Sequence, residues 1–141
     1  LLSLARRQGT PISILFIDLD HFKRVNDESG HDTGDRLLRR VAEVLQKQLR
    51  ASDLVGRLGG DEFVLLLPGA GSAAAAEYAE KLRLRLLAAM QESNWPVTFS
   101  IGVASYAQPP TELTDMLCEA DRLMYEVKNG KWVANKTASV K

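Results

Sequence analysis

The chain has 141 residues, 45% hydrophobic and 26% charged, the proportions of one soluble globular domain long enough to bury a core. Lys plus Arg equals Asp plus Glu at 18 each, so no net field draws it to nucleic acid or an anionic membrane, and any anionic ligand must be held by local chemistry. The single cysteine, Cys118, excludes an internal disulfide and a cysteine zinc site and reads as a core residue on an apolar helical face. With no apolar run of membrane-spanning length and no signal-peptide pattern, the expected location is cytoplasmic, free or as the cytoplasmic domain of a membrane-anchored protein.

"LLSLARRQG" has no cap before its apolar residues and stops at Gly9, which reads as the last turns of a helix begun upstream. "PISILFIDLD" (11–20) is an apolar run ending in acids, the pattern of a buried central strand. From Thr33 to Arg50, Leu37, Leu38, Val41, Val44, Leu45 and Leu49 recur with helical spacing, with Asp32 as N-cap and Asp35 in the first turn, where the helix dipole favours negative charge. "DLVGRL" and "EFVLLLP" flank Gly59-Gly60, a hairpin signal. A helix from Ser72 to about Met90 carries Ala75, Ala79, Leu82, Leu86 and Ala89 on one side. "VTFSIGVAS" (97–105) alternates, with Val97, Phe99, Ile101 and Val103 on one face, which predicts a half-buried strand. Leu113, Met116, Leu117, Ala120, Leu123, Met124 and Val127 define a last helix stopped by Asn129-Gly130. "KWV" reads as a short edge strand and "ANKTASVK" as a disordered polar tail.

Between residues 12 and 105 the order is strand, helix, hairpin, helix, strand. This is the βαββαβ plan of an α+β fold, an antiparallel sheet with helices on one face. It places the end of the first strand beside the hairpin, and the chain concentrates acids at both places. Asp18 and Asp20 lie two apart at the strand end, and Asp61 and Glu62 follow the Gly-Gly turn. Crowded carboxylates repel unless a cation sits between them. Hard oxygen ligands without His or Cys suit magnesium or manganese, which take one or two carboxylates and then substrate phosphates. That is the arrangement of a metal-assisted nucleotidyl transfer. Either cluster alone is better read as a turn with solvated strand ends; together, as neighbours, they favour a site. No G-x-x-x-x-G-K-[ST] phosphate loop is present.

"FIDLDHFKRVNDESGHDTGDRLL", "RASDLVGRLGGDEF", "SIGVA" and "EADRLMYEVK" resemble, in order and spacing, the GGDEF-domain diguanylate cyclases. The likeness covers nearly the whole chain and implies one domain over residues 1–134, with 135–141 as the tail and a palm-like, nucleotide-cyclase type of sheet. Family members condense two GTP into cyclic di-GMP and two pyrophosphates with a divalent metal, which makes the expected activity that of a nucleotidyltransferase. The resemblance implies Asp18, Asp61 and the carbonyl of Leu19 as ligands to magnesium or manganese. It implies Asp61 as the catalytic acid position, Glu62 as a supporting carboxylate, and Gly59 and Gly60 as bare backbone for the nucleotide. Asn26 and Asp35 match the guanine-reading pair, and Lys23, Lys128 and Lys131 the phosphate-contacting positions. The resemblance also implies backbone N–H groups near Phe22 for the phosphates, with its ring in the core, and Asp20 and His31 match structural positions. Arg50 and Asp53 match the inhibitory R-x-x-D site for the cyclic dinucleotide; the plain alternative there is an i,i+3 ion pair.

Two features depart from the family pattern. Its opening "LTGLxNRR" turn is absent, and "KNGKW" is one residue short, with Lys131 where arginine is expected, keeping the charge but losing the bidentate fork. The implied partners are GTP, the cyclic product as inhibitor, a second copy of the chain for catalysis, and an N-terminal sensory or receiver domain; nucleic acid and direct membrane contact are not expected. The alternative readings are a catalytically weak or idle module that binds GTP or cyclic di-GMP, and a cyclase acting on a single ATP.

Overall fold

The computed structural model describes residues 9–108, 112–129 and 136–140. The chain runs β1 (Ile12–Asp20), α1 (Phe22–Ser29), α2 (His31–Gln48), β2 (Leu54–Arg57), β3 (Glu62–Pro68), α3 (Ser72–Glu92), β4 (Thr98–Tyr106), α4 (Leu113–Lys128) and β5 (Lys136–Val140). The strand order is β2-β3-β1-β4-β5. The first four strands are mutually antiparallel, as the βαββαβ plan requires, and β1 lies at their centre between β3 and β4. The expected helix-like start at residues 1–8 and the "KWV" strand lie outside the described residues.

Both faces of this sheet are covered. Leu15, Ile17 and Leu19 of β1, with Phe63, Leu65 and Leu67 of β3 and Phe99, Ile101 and Val103 of β4, pack against Leu37, Val41 and Leu45 of α2 and Ala79, Leu82 and Leu86 of α3. On the reverse face Ile12, Ile14, Phe16, Ala104 and Tyr106 pack against Met116 and Leu123 of α4. The helices of the βαββαβ core, α2 and α3, share one face as expected, and α4, which follows that core, covers the reverse face. That is also why β4 is buried on both sides rather than half-buried. Small residues, Gly102 and Ala104, occupy the α4 side of the strand, so its sequence alternates in size while burial is continuous.

Three further readings change. Cys118 is exposed rather than core, because α4 turns Met116 and Leu123 to the sheet and leaves position 118 off that stripe. The stretch expected as a disordered tail contains β5, paired in parallel with β4 from Gly102↔Lys136 to Tyr106↔Val140. A strand edge offers backbone groups that a polar sequence can satisfy, and α4 supplies the crossover that a parallel pair needs. Finally, residues 22–29 form a separate helix; Gly30 at φ 91° breaks it from α2, so Asp32 lies in the first turn of α2 instead of capping it.

The start of β1 is pinned by a buried hydroxyl. Ser13 Oγ donates to the carbonyl of Ala70 at 2.7 Å and, its proton thus used, accepts from Ser105 Oγ at 2.7 Å. The loop before α3 is thereby tied to two strands. Ser13→Ala is expected to cost about 1–3 kcal/mol, because the Ala70 carbonyl loses its donor. The loss should show as a lower denaturant midpoint at unchanged slope; an unchanged midpoint would mean that the hydroxyl does not hold this loop.

Candidate active site

The β1 terminus and the β2–β3 hairpin meet as the fold plan requires. Asp18 stands directly opposite Glu62 on β3 and Ser100 on β4, and the N–H of Leu19 donates to the carbonyl of Asp61 at 3.2 Å. Alternation along β1 continues the α4-facing row of Ile12, Ile14 and Phe16 into Asp18 and Asp20. The acids therefore extend an apolar face to its end. Asp18 is buried, only 8% exposed, while Asp20, Asp61 and Glu62 are half-buried. Asp20 ties two strands together: it accepts from Thr98 Oγ1 at 2.9 Å and Ser100 Oγ at 2.8 Å, clipping β1 to β4.

The hairpin turn is wider than two glycines. The N–H of Leu58 donates to the carbonyl of Glu62 at 2.9 Å, which leaves Gly59, Gly60 and Asp61 in the loop, and neither glycine has a positive φ. Gly59 is small for a local reason, since a Cβ there would come within 2.8 Å of Glu62 Oε1 and displace that carboxylate. Gly60 has nothing within 4 Å of a would-be Cβ, so the chain itself does not demand glycine there. Among the described residues no three His, Cys, Asp or Glu side chains form a metal cluster. The donor set of Asp18, Asp61 and the Leu19 carbonyl nevertheless fits a hard divalent ion that keeps positions for phosphate oxygens: two carboxylates and a carbonyl, at the end of a buried strand, with no soft ligand.

On the other side of the hairpin lie the nucleotide candidates. His21 takes the left-handed conformation (φ 69°), turning the chain sharply from β1 into α1, whose N-terminus has no side-chain cap. Phe22 is buried against α2, as expected for its ring, and Lys23 is exposed on the first turn. The amide of Asn26 lies against bare backbone at Gly34, where an added Cβ would fall 1.8 Å from Asn26 Oδ1 and 3.4 Å from the Phe22 ring. Gly34 is therefore a further candidate site residue, and a glycine inside a helical apolar pattern is its signal in the sequence. The next residue, exposed Asp35, lines a groove of about 300 Å³ with Leu38, Arg39, Ala42, Arg57 and Phe63. Thus α1 and α2 bring Asn26 and Asp35 to neighbouring positions. His31 is exposed at the start of α2, and Lys128 ends α4, while Lys131 lies outside the described residues.

Arg50 and Asp53 form a closed clasp. Arg50 donates from Nε to Asp53 Oδ2 at 3.1 Å and from Nη2 to Oδ1 at 2.8 Å, and its backbone N–H reaches Oδ2 at 2.9 Å. Nη2 also donates to the Pro68 carbonyl at 3.0 Å. The Asp53 side chain is fully covered, whereas that of Arg50 is 54% exposed. The hydrogen bond that Arg50 donates to Asp53 holds the guanidinium above its ordinary pKa. Burial pushes the Tyr78 phenol up, and its hydroxyl donates to the Gln48 carbonyl at 2.8 Å beside the clasp. The i,i+3 ion pair is thus present, and only its arginine faces solvent.

Comparison with known proteins agrees with this fold. The sequence family described as diguanylate cyclase, GGDEF domain, matches residues 1–132. The bifunctional diguanylate cyclase/cyclic di-GMP phosphodiesterase MucR of Pseudomonas aeruginosa is 43% identical over 127 residues, 89% of this chain and 18% of that protein. The diguanylate cyclase DosC of Escherichia coli is 38% identical over 128 residues, 88% of this chain and 28% of that protein. The chain therefore spans less than a third of either relative's length. The crystal structure of the GGDEF domain of DgcB from Caulobacter crescentus, in complex with cyclic di-GMP, superposes with a TM-score of 0.85 at 29% identity, covering 96% of this chain and 82% of that one. Among the described residues no helix is long and apolar enough to cross a membrane. By the family match over residues 1–132 and by its identity to these relatives, the chain belongs to the GGDEF-domain diguanylate cyclase family.

Proposed function

We propose that this domain condenses two GTP into cyclic di-GMP with release of two pyrophosphates, each of two protomers presenting one nucleotide. The observation that carries the reading is the register that sets Asp18 opposite Glu62 and joins Leu19 to Asp61 across the sheet. In each half-reaction the 3′-hydroxyl of one GTP attacks the α-phosphate of the other. A 3′–5′ phosphodiester forms, the bond to pyrophosphate breaks, and the hydroxyl proton leaves toward the carboxylates. Asp18, Asp61 and the Leu19 carbonyl would hold magnesium or manganese, which when bound shields the triphosphate charge and polarises the reacting phosphate. Asp61 orients the attacking hydroxyl and Glu62 supports it. The uncapped first turn of α1, with the N–H of Phe22 and the ammonium of Lys23, receives phosphate oxygens, and Lys128 and Lys131 would add positive charge. Bare backbone at Gly59 and Gly60 lets the nucleotide approach. Asn26 and Asp35 read guanine, since a carboxylate accepts from both N1–H and the 2-amino group, which adenine lacks.

For product inhibition, Arg50 is the half of the R-x-x-D pair within reach of a dinucleotide phosphate or base. Asp53 accepts guanine N–H groups only after Arg50 swings away. One site per protomer makes a homodimer the working unit, and an attached sensory or receiver domain its control.

Incubation with magnesium and GTP or ATP, followed by chromatography, tests the activity. Cyclic di-GMP from GTP alone is expected, at a rate rising more steeply than linearly with protein concentration, and Asp61→Asn should lower it at least about 100-fold. Binding without turnover would favour the idle module, and a cyclic mononucleotide from ATP the single-substrate cyclase. Gly34→Ala tests the guanine reading: pushing Asn26 aside should weaken GTP binding about tenfold and reduce its advantage over ATP. The effect should be largely absent in an Asn26→Ala background, and equal losses in both backgrounds would separate Gly34 from Asn26. Arg50→Ala should raise the product concentration needed for half-inhibition without lowering the initial rate; unchanged inhibition would return the pair to a purely structural role.

A further inference from the structure

We propose that Arg57 is a positioning residue that clamps the Gly-Gly turn and thereby sets the place of Asp61, an inference that rests on the catalytic reading above. Arg57 is the last residue of β2 and pairs opposite Phe63, so its side chain starts from ladder-bonded backbone. Its Nε donates to the Gly59 carbonyl at 3.0 Å and its Nη2 to the Gly60 carbonyl at 2.8 Å. One planar guanidinium thus grips two successive peptide groups of the turn.

The turn needs such a grip. Two glycines in a row have more backbone freedom than any other pair, and neither is locked by a left-handed conformation or by packing around a Cβ. Two backbone bonds bracket the loop, from Leu58 N–H to Glu62 and from Leu19 N–H to Asp61. Both act at its margins, and Arg57 reaches the peptide groups between them. With its carbonyl held by β1 and the two preceding carbonyls held by Arg57, Asp61 is fixed from both sides. A fork with fixed geometry does this; an ammonium on a flexible stem cannot hold both acceptors in one plane. Arg57 also walls the groove in front of Asp35, so the residue that steadies the acid-bearing loop stands where a bound base would lie.

Arg57→Lys and Arg57→Ala test the clamp by two independent readouts. In amide hydrogen exchange, residues 59–62 should exchange at least several-fold faster in Arg57→Ala, with the exchange of β1 and β4 unchanged. In turnover, both variants should lose about 10- to 100-fold in kcat, the scale of a misplaced reacting group. Because Arg57 also borders the groove of Asp35, GTP affinity is measured separately and the clamp is read from kcat at saturating GTP. Added guanidinium should restore part of the Arg57→Ala rate and none of the Arg57→Lys rate. Unchanged exchange at 59–62 overturns the clamp, and faster exchange with full kcat overturns its positioning role. If the unaltered protein makes no cyclic di-GMP, the catalytic reading fails and takes the positioning role with it, while exchange still decides the clamp.

Discussion

The site depends on the register of β1. Its acids are useful only because Asp18 stands opposite Glu62 while the peptide of Leu19 meets that of Asp61, and a shift of one residue would reverse every side chain of the strand. Apolar alternation cannot set this register, since β1 is apolar toward both α2–α3 and α4. Polar pins at its two ends can. Near its start Ser13 holds Ala70 and Ser105, and at its end Asp20 takes the hydroxyls of Thr98 and Ser100. A slipped strand would lose both sets of bonds and turn Asp18 into the apolar layer against α2 and α3, where an unpaired charge is costly. The polar residues that look incidental in a hydrophobic strand are the ones that place its chemistry.

The hairpin then separates two kinds of surface. Toward α4 it presents Glu62 beside Asp18. Toward α2 it presents Arg57 to a groove shared with Asp35 and Arg39. A chain of zero net charge thereby offers an acid-rich edge suited to a divalent ion and, a few residues away, an arginine-lined recess suited to the rest of a nucleotide. Neither surface relies on a global field, which matches the even balance of charges.

Much of this was legible in the sequence because it rests on local periodicity. The strand at 12–20, the helices from His31 and Ser72 and the last helix from Leu113 all follow their apolar spacing, and the paired acids follow from the order of elements. What escaped has long-range or backbone causes. With only Phe22 and Val25 buried, α1 shows almost no apolar stripe. The second covered face, and with it the exposure of Cys118, depends on where α4 returns. β5 pairs through backbone groups that composition does not reveal. The roles proposed for Gly34 and Arg57 have causes of the same kind, though a glycine within a helical apolar pattern hints at the first: one is defined by the space that Asn26 occupies from another helix, the other by two carbonyls of a turn.

The geometry around β2 carries the reading one step further. This edge strand has four residues, Leu54 to Arg57, roughly 13 Å of extended chain. An arginine works at each end. Before it, Arg50 closes on Asp53 and reaches the Pro68 carbonyl at the far end of β3. After it, Arg57 holds the Gly-Gly turn. The clasp is closed on Asp53, and an anion could draw Arg50 outward only by binding it better there than Asp53 does. Drawing the Arg50 side chain outward would leave the buried Asp53 carboxylate only the Arg50 backbone N–H and release β3 at Pro68, disturbing the strand that leads from the Asp61 loop. An inhibitory site at Arg50 would need no distant relay to reach the reacting groups: the shortest strand of the sheet joins the two arginines directly.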